Sequence, residues 1–320
     1  MPLSKDVLAI DAAAEVERIG AFLRESVLAR LRRRGVVVGL SGGVDSTVVA
    51  ALAARALGKE RVLGLFLHES DSSDETRELS RLVADHLGIT TLDEDITATL
   101  EAVGCYRRRD AAIRAAVPGY GPGHKAKIVL PSVVDSDAYR IYSVVVRAPD
   151  GREIKARLPP AAYLEVVAAT NFKQRTRKML EYHHADRLVY AVAGTPNRLE
   201  YDQGFFVKNG DGSADVKPIA HLYKTQVYAL AAELGVPEVI RTRPPTTDTY
   251  ALAQSQEEFY FSLPYDKMDL CLYARTRGLA AADVGPAVGL EPAQVERVYR
   301  DIDAKRAAAR YLHAPPETLD

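Results

Sequence analysis

Six consecutive residues, Ser41-Gly42-Gly43-Val44-Asp45-Ser46, combine the side-chain and backbone types needed to hold a phosphate. The glycines let backbone N–H groups approach an anion with no Cβ in the way. Ser41 and Ser46 can donate hydroxyl hydrogen bonds, and a helix starting here adds orphan N–H groups and the positive end of its dipole. Asp45 is out of place in a pocket for anions unless a cation such as Mg2+ bridges it to the phosphate. The flanking residues fit this assignment. Val36-Val37-Val38-Gly39-Leu40 is a short, β-branched apolar run, the pattern of a buried parallel strand. Thr47 to Leu57 is rich in Ala and Leu, lacks Pro and Gly, and stops at Gly58, the pattern of a helix. A bare Gly-Gly turn would read as a plain βα connection. The hydroxyls and carboxylate at the helix start point instead to a phosphate site with a metal. No Lys follows the glycines, so the loop is not of the Walker type.

Other reactive side chains have ordinary competitors. Arg175 and Arg177 share a predicted helix with Lys173, Lys178, Asp186 and Arg187, and such charge clusters are usually solvated faces. Glu200 on its own reads as a surface carboxylate. His183 and His184 are neighbours on a helix and point apart, which argues against joint chelation. Tyr250, Phe259, Tyr260 and Phe261 could stack on a base or a nicotinamide, but core packing is the favoured reading. Cys105 and Cys271 form no Cys-x-x-Cys pair, so neither a disulfide framework nor a structural zinc site is expected.

The elements that position these residues follow from periodicity. Residues 7–34 read as an amphipathic helix, with Val7, Ile10, Ala14, Val16, Ile19, Phe22, Leu23, Val27 and Leu31 at roughly helical spacing. Its cationic end, Arg30 to Arg34, suits the helix dipole. A strand is expected over Val62 to Leu67. The next helix opens at Ser72-Ser73-Asp74-Glu75, with Ser72 and Glu75 spaced as a capping box, and runs to His86. Ile89 to Ile96 is a third strand. This alternation predicts an α/β fold, a doubly wound parallel sheet flanked by helices, within a single domain spanning 1–320.

Residues 118–160 interrupt the rhythm. Pro118 to Gly123 is a turn-rich linker, and Tyr139 to Arg147 and Glu153 to Leu158 flank Asp150-Gly151, a hairpin signal. This reads as a β-hairpin insertion, and a decorative hairpin, a lid and an oligomer arm all remain open. A helix from Ala161 to about His184, a strand at Leu188 to Val192 and a helix from Tyr223 to Leu234 follow. Thr242 to Ser262 is polar, aromatic and expected to be mobile, and residues 263–320 form a helical C-terminal section.

With 320 residues, 47% hydrophobic, the chain can bury a large core. Its 42 Lys and Arg against 43 Asp and Glu give no argument for nucleic-acid or membrane binding. Met1 to Asp11 lacks a basic segment followed by an apolar one, and no apolar run approaches the ~20 residues that span a bilayer. The expectation is a soluble, cytoplasmic protein.

The Ser41–Ser46 loop resembles the pyrophosphate-binding loop of the N-type ATP pyrophosphatases, which adenylate a carboxyl or carbonyl oxygen, release pyrophosphate and let a nucleophile displace AMP. Later segments are similar to one branch, the NAD synthetases. Asn171-Phe172-Lys173-Gln174-Arg175-Thr176-Arg177 resembles that family's Asn-x-x-x-Arg-x-Arg helix, and Gly194-Thr195 to Glu200 its Gly-Thr-x-x-x-x-Glu turn. Gly204-Phe205 to Gly212 is similar to its Gly-Phe-x-Thr-Lys-Tyr-Gly-Asp-Gly segment. Leu222 to Val227, Pro245-Thr246-Thr247-Asp248, and Lys305-Arg306 with Pro315-Pro316 continue the correspondence.

The resemblance implies roles. Ser41, Gly42, Gly43, Val44, Asp45, Ser46, Thr195 and Lys224 would bind ATP and its pyrophosphate. Asp45 and Glu200 would hold Mg2+. Thr246 and Thr247 would bring hydroxyls over the reactive phosphate, with Asp45 and Lys224 completing the catalytic set. Asn171, Arg175, Arg177, Phe205, Lys208 and Asp211 would meet the second substrate. The implied reaction joins ammonia to deamido-NAD with ATP cleaved to AMP and pyrophosphate, in a homodimer. The insertion, Asn209 in place of the family's Tyr, and the bulky Arg198 beside the metal turn keep a second reading open, a related amide synthetase acting on another carboxylate such as a sugar acid. A third is a nucleotide-binding protein without turnover, against which the intact loop and both carboxylates argue. The chain length leaves no room for an amidase domain, so free ammonia or a separate glutaminase subunit would supply the nitrogen.

Overall fold

The computed structural model describes residues 3–130, 132–134, 142–246 and 249–319. The chain forms β1 (Val36–Gly39), β2 (Val62–Phe66) and β3 (Thr90–Asp93), then β4 (Lys125–Val129), β5 (Ser143–Arg147) and β6 (Glu153–Arg157), and returns with the short β7 (Ala191–Val192). The first three strands and β7 make a parallel sheet in the order β3-β2-β1-β7. The helices are α1 (Ala12–Leu23), α2 (Val44–Leu57), α3 (Asp74–Leu87), α4 (Thr97–Ala102), α5 (Cys105–Arg114), α6 (Pro160–Leu188), α7 (Arg198–Gln203), α8 (Lys224–Glu233), α9 (Glu238–Thr242), α10 (Tyr265–Arg277), α11 (Ala281–Val288) and α12 (Pro292–His313).

Strand side chains alternate between two faces. Val36 and Val38 of β1, with Val62 and Phe66 of β2, pack among residues of α1, α2 and α8. Val37, Leu63 and Leu65 face the other way, against Leu100 of α4, Cys105 of α5 and Ala185 of α6. Both faces are therefore covered, which is why the strands read as unbroken apolar runs, and the doubly wound α/β expectation holds. The helices α10 to α12 form a C-terminal section around Met268, Leu272, Val284, Val295 and Ile302.

The second sheet is antiparallel, in the order β4-β5-β6. The Asp150-Gly151 hairpin lies between β5 and β6, with Gly151 at φ +86. Residues Tyr139 to Ile141 of the expected first strand lie outside the described residues. The reading missed β4, whose Lys-Ala-Lys-Ile-Val alternation is short and follows a turn-rich linker.

Several boundaries shift for local reasons. The first helix starts at Ala12 because the Asp11 side chain accepts from Ala14 N–H at 3.0 Å, and residues Lys5–Leu8 form a separate 3-10 turn. The helix opened by the serines is capped by Ser73, whose Oγ accepts from Thr76 N–H, not by Ser72. The Ser72 hydroxyl instead accepts from Glu69 N–H and closes the preceding turn. α6 runs on to Leu188 and ends at Val189 with φ +57, leaving only Ala191–Val192 for the strand.

The first turn of α8 is capped from another helix. Asp269 of α10 accepts from the N–H groups of Lys224 and Thr225, at 3.2 and 2.8 Å. Burial raises this carboxyl to about 6. Asp269→Ala leaves two buried donors unsatisfied, and urea unfolding is expected to show a loss of about 3 kcal/mol. Asp269→Asn, which keeps one acceptor oxygen, should lose less.

Candidate functional site

β2 and β3 extend the sheet on one side of β1 and β7 on the other, so the loops leaving β1 and β7 diverge at the carboxyl end of the sheet. Open α/β sheets bind ligands at such switch points. Here they frame a cleft of about 570 Å3. The β1 loop brings Ser41, Gly43, Val44, Asp45 and Ser46 to its wall, and the β7 loop brings Thr195, Pro196 and Glu200.

The end of this cleft nearest the β1 loop is a closed circuit of polar contacts. The Lys224 ammonium, 1% exposed, pairs with Asp45 Oδ2. Asn197 Nδ2 donates to the other Asp45 oxygen at 3.1 Å. Asn197 and Glu200 cap α7 reciprocally, the Asn197 Oδ1 accepting from Glu200 N–H and Glu200 Oε2 from Asn197 N–H. Gln256 Nε2 donates to Glu200 Oε1 at 3.3 Å, and Tyr265 O–H donates to Gln256 Oε1 at 2.5 Å. The Tyr265 ring lies 5.3 Å from the Lys224 ammonium and closes the loop of contacts. Burial, then the Asp45 carboxylate, pushes Glu200 up to about 8. Burial alone would lower Lys224, but Asp45 and Glu200 outweigh it and hold the ammonium above its ordinary range. Two carboxylates thus share one buried cation, an arrangement short of positive charge.

The β1 loop is built as an anion cradle. No side chain caps α2 at Gly43, so the first-turn N–H groups are left for a ligand. Ser46 Oγ donates to Gly43 carbonyl at 3.1 Å, and Thr47 Oγ1 does so at 2.8 Å, which fixes the turn. Gly42 sits at φ +67, and a Cβ there would meet Leu79 Cβ at 2.8 Å, so the position admits only glycine.

The far half of the cleft is aromatic and amide-rich. Asn171, Gln174 and Arg177 of α6 line it, with Phe205, Phe206, Tyr250, Phe259 and Tyr260. Tyr142 stacks on Tyr163 with centroids 3.9 Å apart and planes 13° apart. Asp211 reaches the lining while accepting from Val207 N–H at 2.8 Å, and burial raises its carboxyl. Thr246 lies exposed at the rim, and Thr247 falls outside the described residues.

Three expected residues do not line the cleft: Gly42, which is buried against Leu79, and Lys208 and Arg175. The Lys208 ammonium donates to the carbonyls of Tyr311 and Ala314, and Arg175 is exposed with its Nε on the Lys208 carbonyl. The four aromatics divide: Phe261 is core, whereas Tyr250, Phe259 and Tyr260 also line the cleft. Residues that sequence reasoning did not single out are Asn197, Gln256 and Tyr265 of the circuit, Tyr142 and Tyr163, and Arg77 of the cleft wall, whose buried Nε has no hydrogen-bond partner among the described residues. Asn197 had a signal: an Asn three residues before Glu200 at a helix start is a capping box.

A phosphate cradle at the switch point, joined to an aromatic half-site, defines an α/β nucleotide-binding protein. The NAD synthase family model matches residues 15–115 and 142–308, and the chain belongs to this family. It is similar to the NH(3)-dependent NAD(+) synthetase of Rhizobium meliloti, at 62% identity over 316 residues covering 99% of this chain and 94% of that one. In fold it resembles an NMN synthetase from Francisella tularensis, with TM-score 0.68, 20% identity, and 98% and 100% of the two chains covered. It also resembles an NH3-dependent NAD synthetase from Campylobacter jejuni, with TM-score 0.64, 22% identity, and 98% and 100% covered.

Lys224→Met strands buried carboxylates, and chemical denaturation should show a loss of about 3–5 kcal/mol. Adding Asp45→Asn to that variant should restore part of it, the reverse of additive damage.

Proposed function

We propose that this protein is an ammonia-dependent NAD synthetase, an ATP-dependent ligase that converts deamido-NAD, ATP and ammonia to NAD, AMP and pyrophosphate. The observation that carries the reading is the continuity of the cleft. The Asp45–Lys224–Glu200 circuit and the aromatic half lined by Asn171 and Arg177 share one space, so a nucleotide phosphate and an acceptor carboxylate can meet inside it. The names of the high-identity relatives support the same assignment.

The chemistry runs in two steps. An acceptor carboxylate oxygen attacks the α-phosphorus of ATP, and the bond to pyrophosphate breaks. Ammonia nitrogen then attacks the acyl carbon, loses a proton, and AMP leaves. Negative charge gathers on the departing pyrophosphate, and the N–H groups of the Gly42-Gly43 turn and the Lys224 ammonium are the groups placed to stabilise it. Asp45 and Glu200 are hard oxygen donors at the wall of the cleft with the Lys224 ammonium between them, and this suits a divalent cation. Bound there, Mg2+ would neutralise phosphate charge. Thr195 would border the nucleotide and Thr246 would bring a hydroxyl to the phosphates, the role that the sequence motif alone gives to Thr247. Asn171, Arg177, Phe205 and Asp211 form the acceptor end. Arg175 and Lys208 would contribute only from outside this cleft.

The chain works as one domain in the cytoplasm, fed by free ammonia or a separate glutaminase. Among the described residues no helix is long and apolar enough to cross a membrane. Leu164 and Met179 of α6 stand 64% and 56% exposed, which suits a homodimer built on this helix. Sedimentation of Leu164→Glu/Met179→Glu should give a monomer where the unmodified chain gives a dimer.

The test is pyrophosphate release with ATP, Mg2+ and ammonium, with and without deamido-NAD, followed by mass spectrometry of the product. Release that depends on deamido-NAD and yields NAD is expected, with Asp45→Asn lowering kcat about 10²–10³-fold. ATP binding without stimulation by deamido-NAD would reassign the acceptor to another carboxylate.

A further inference from the structure

β4 lies in residues 116–141, the stretch between the two segments that match the family model. It is an edge strand: β5 pairs with one side, and the other side meets the segment before α10. Leu252 N–H donates to the Ala126 carbonyl at 3.4 Å, and the Gln254 side-chain amide, 2% exposed, donates to the Ile128 carbonyl at 2.5 Å. The Lys127 ammonium donates to the Ala253 carbonyl at 3.3 Å and pairs with Glu258 at 2.8 Å. Tyr250 is buried in the core of this sheet with Val144, Val146 and Leu158.

The same segment is fixed at both ends by the cleft. The buried Lys173 ammonium donates to the Thr249 carbonyl at 2.8 Å while pairing with Glu69 and Asp71. Thr246 bridges to Ser255, Gln256 N–H donates to the Pro245 carbonyl, and the Gln256 amide reaches Glu200. Tyr250 stands between these anchors and Phe259 just beyond them, and both line the aromatic half. Tyr142, immediately before β5, lines it as well.

We propose that the β4-β5-β6 sheet buttresses the acceptor half of the cleft through its β4 edge, with Lys127 and Gln254 as positioning residues that hold segment 249–258 against the bound acceptor. Resting on the function proposed above, this sets aside the decorative hairpin and the oligomer arm. The segment covers an edge that would otherwise expose unpaired backbone groups. Its ordering cost is met on folding, so the acceptor wall is in place before the acceptor arrives. A wall that is loose admits water. Water attack on the acyl carbon of the adenylate expels AMP and regenerates the acceptor carboxylate, consuming ATP with no amide formed.

The test compares Lys127→Ala, Lys127→Arg and Glu258→Gln in the full chain, by hydrogen exchange and by the ratio of NAD formed to pyrophosphate released. Lys127→Ala should speed exchange across residues 249–258 and leave β1 and α2 unchanged. It should raise KM for deamido-NAD several-fold with KM for ATP unmoved, and release several pyrophosphates per NAD. Lys127→Arg should restore both, and Glu258→Gln should reproduce the alanine variant. Unchanged exchange, or faster exchange with coupling and KM intact, overturns the proposal. If the unmodified protein makes no NAD, the functional reading fails on its own, and the exchange arm still decides whether β4 holds the segment.

Discussion

A lysine ammonium buried between two carboxylates is the constraint on which the rest of the site depends. Burying Lys224 and half-burying Asp45 and Glu200 costs several kcal/mol unless every charge is met by another charge or a hydrogen bond. The fold meets them from four directions. Asp45 comes from the first turn of α2, Glu200 from the third residue of α7, Lys224 from the first residue of α8, and Gln256 from the segment before α10. Each of these positions is itself fixed. Asn197 caps α7 and bridges to Asp45, and Asp269 caps α8 from α10. A helix shifted by one residue would leave a charge unpartnered, so the sheet's switch point and the packing of α2, α7, α8 and α10 are specified together.

The aromatic half obeys a different rule. Its walls are rings that tolerate small shifts, and behind them stands an ionic cluster in which Lys173 binds Glu69, Asp71 and the Thr249 carbonyl. The Asp71 carboxylate would be raised by burial, but Lys173 and Arg109 hold it below its ordinary range. This second buried cluster joins the loop after β2 to α6 and to the segment before α10. The two ends of the cleft are thereby tied to the same stretch of chain by separate ionic anchors.

Much of this was legible in the sequence where the signal is local. The β1 strand, the glycine turn and the α2 helix announce themselves through residue type over some twenty positions, and most of the expected residues come to line one cleft. Signals failed where the deciding partner lies far along the chain. Nothing near Gln256 or Tyr265 indicates that they complete a circuit with Asp45, and Asp269 reads as one more helix carboxylate until its acceptors are found on α8. Ser72 and Ser73 are equivalent by spacing, and only the Glu69 N–H, which claims Ser72, decides between them. Lys208 fits its motif, yet the C-terminal end of α12 offers its ammonium two carbonyls away from the cleft.

Gln256 is where the two halves meet, and its geometry says why an aromatic, polar segment expected to be mobile is held so closely. Its amide is used at both ends, the nitrogen on Glu200 and the oxygen on the Tyr265 hydroxyl, while its backbone N–H closes the turn onto Pro245. Moving the segment outward would break its contact to Glu200 as well as those to β4. One short stretch of chain therefore touches both ends of the cleft directly. The β4 edge and the Asp45–Lys224 circuit act on the same ten residues from opposite sides. That placement makes the segment a shared wall of the cleft, as the proposed joining of ATP and acceptor in one space would need.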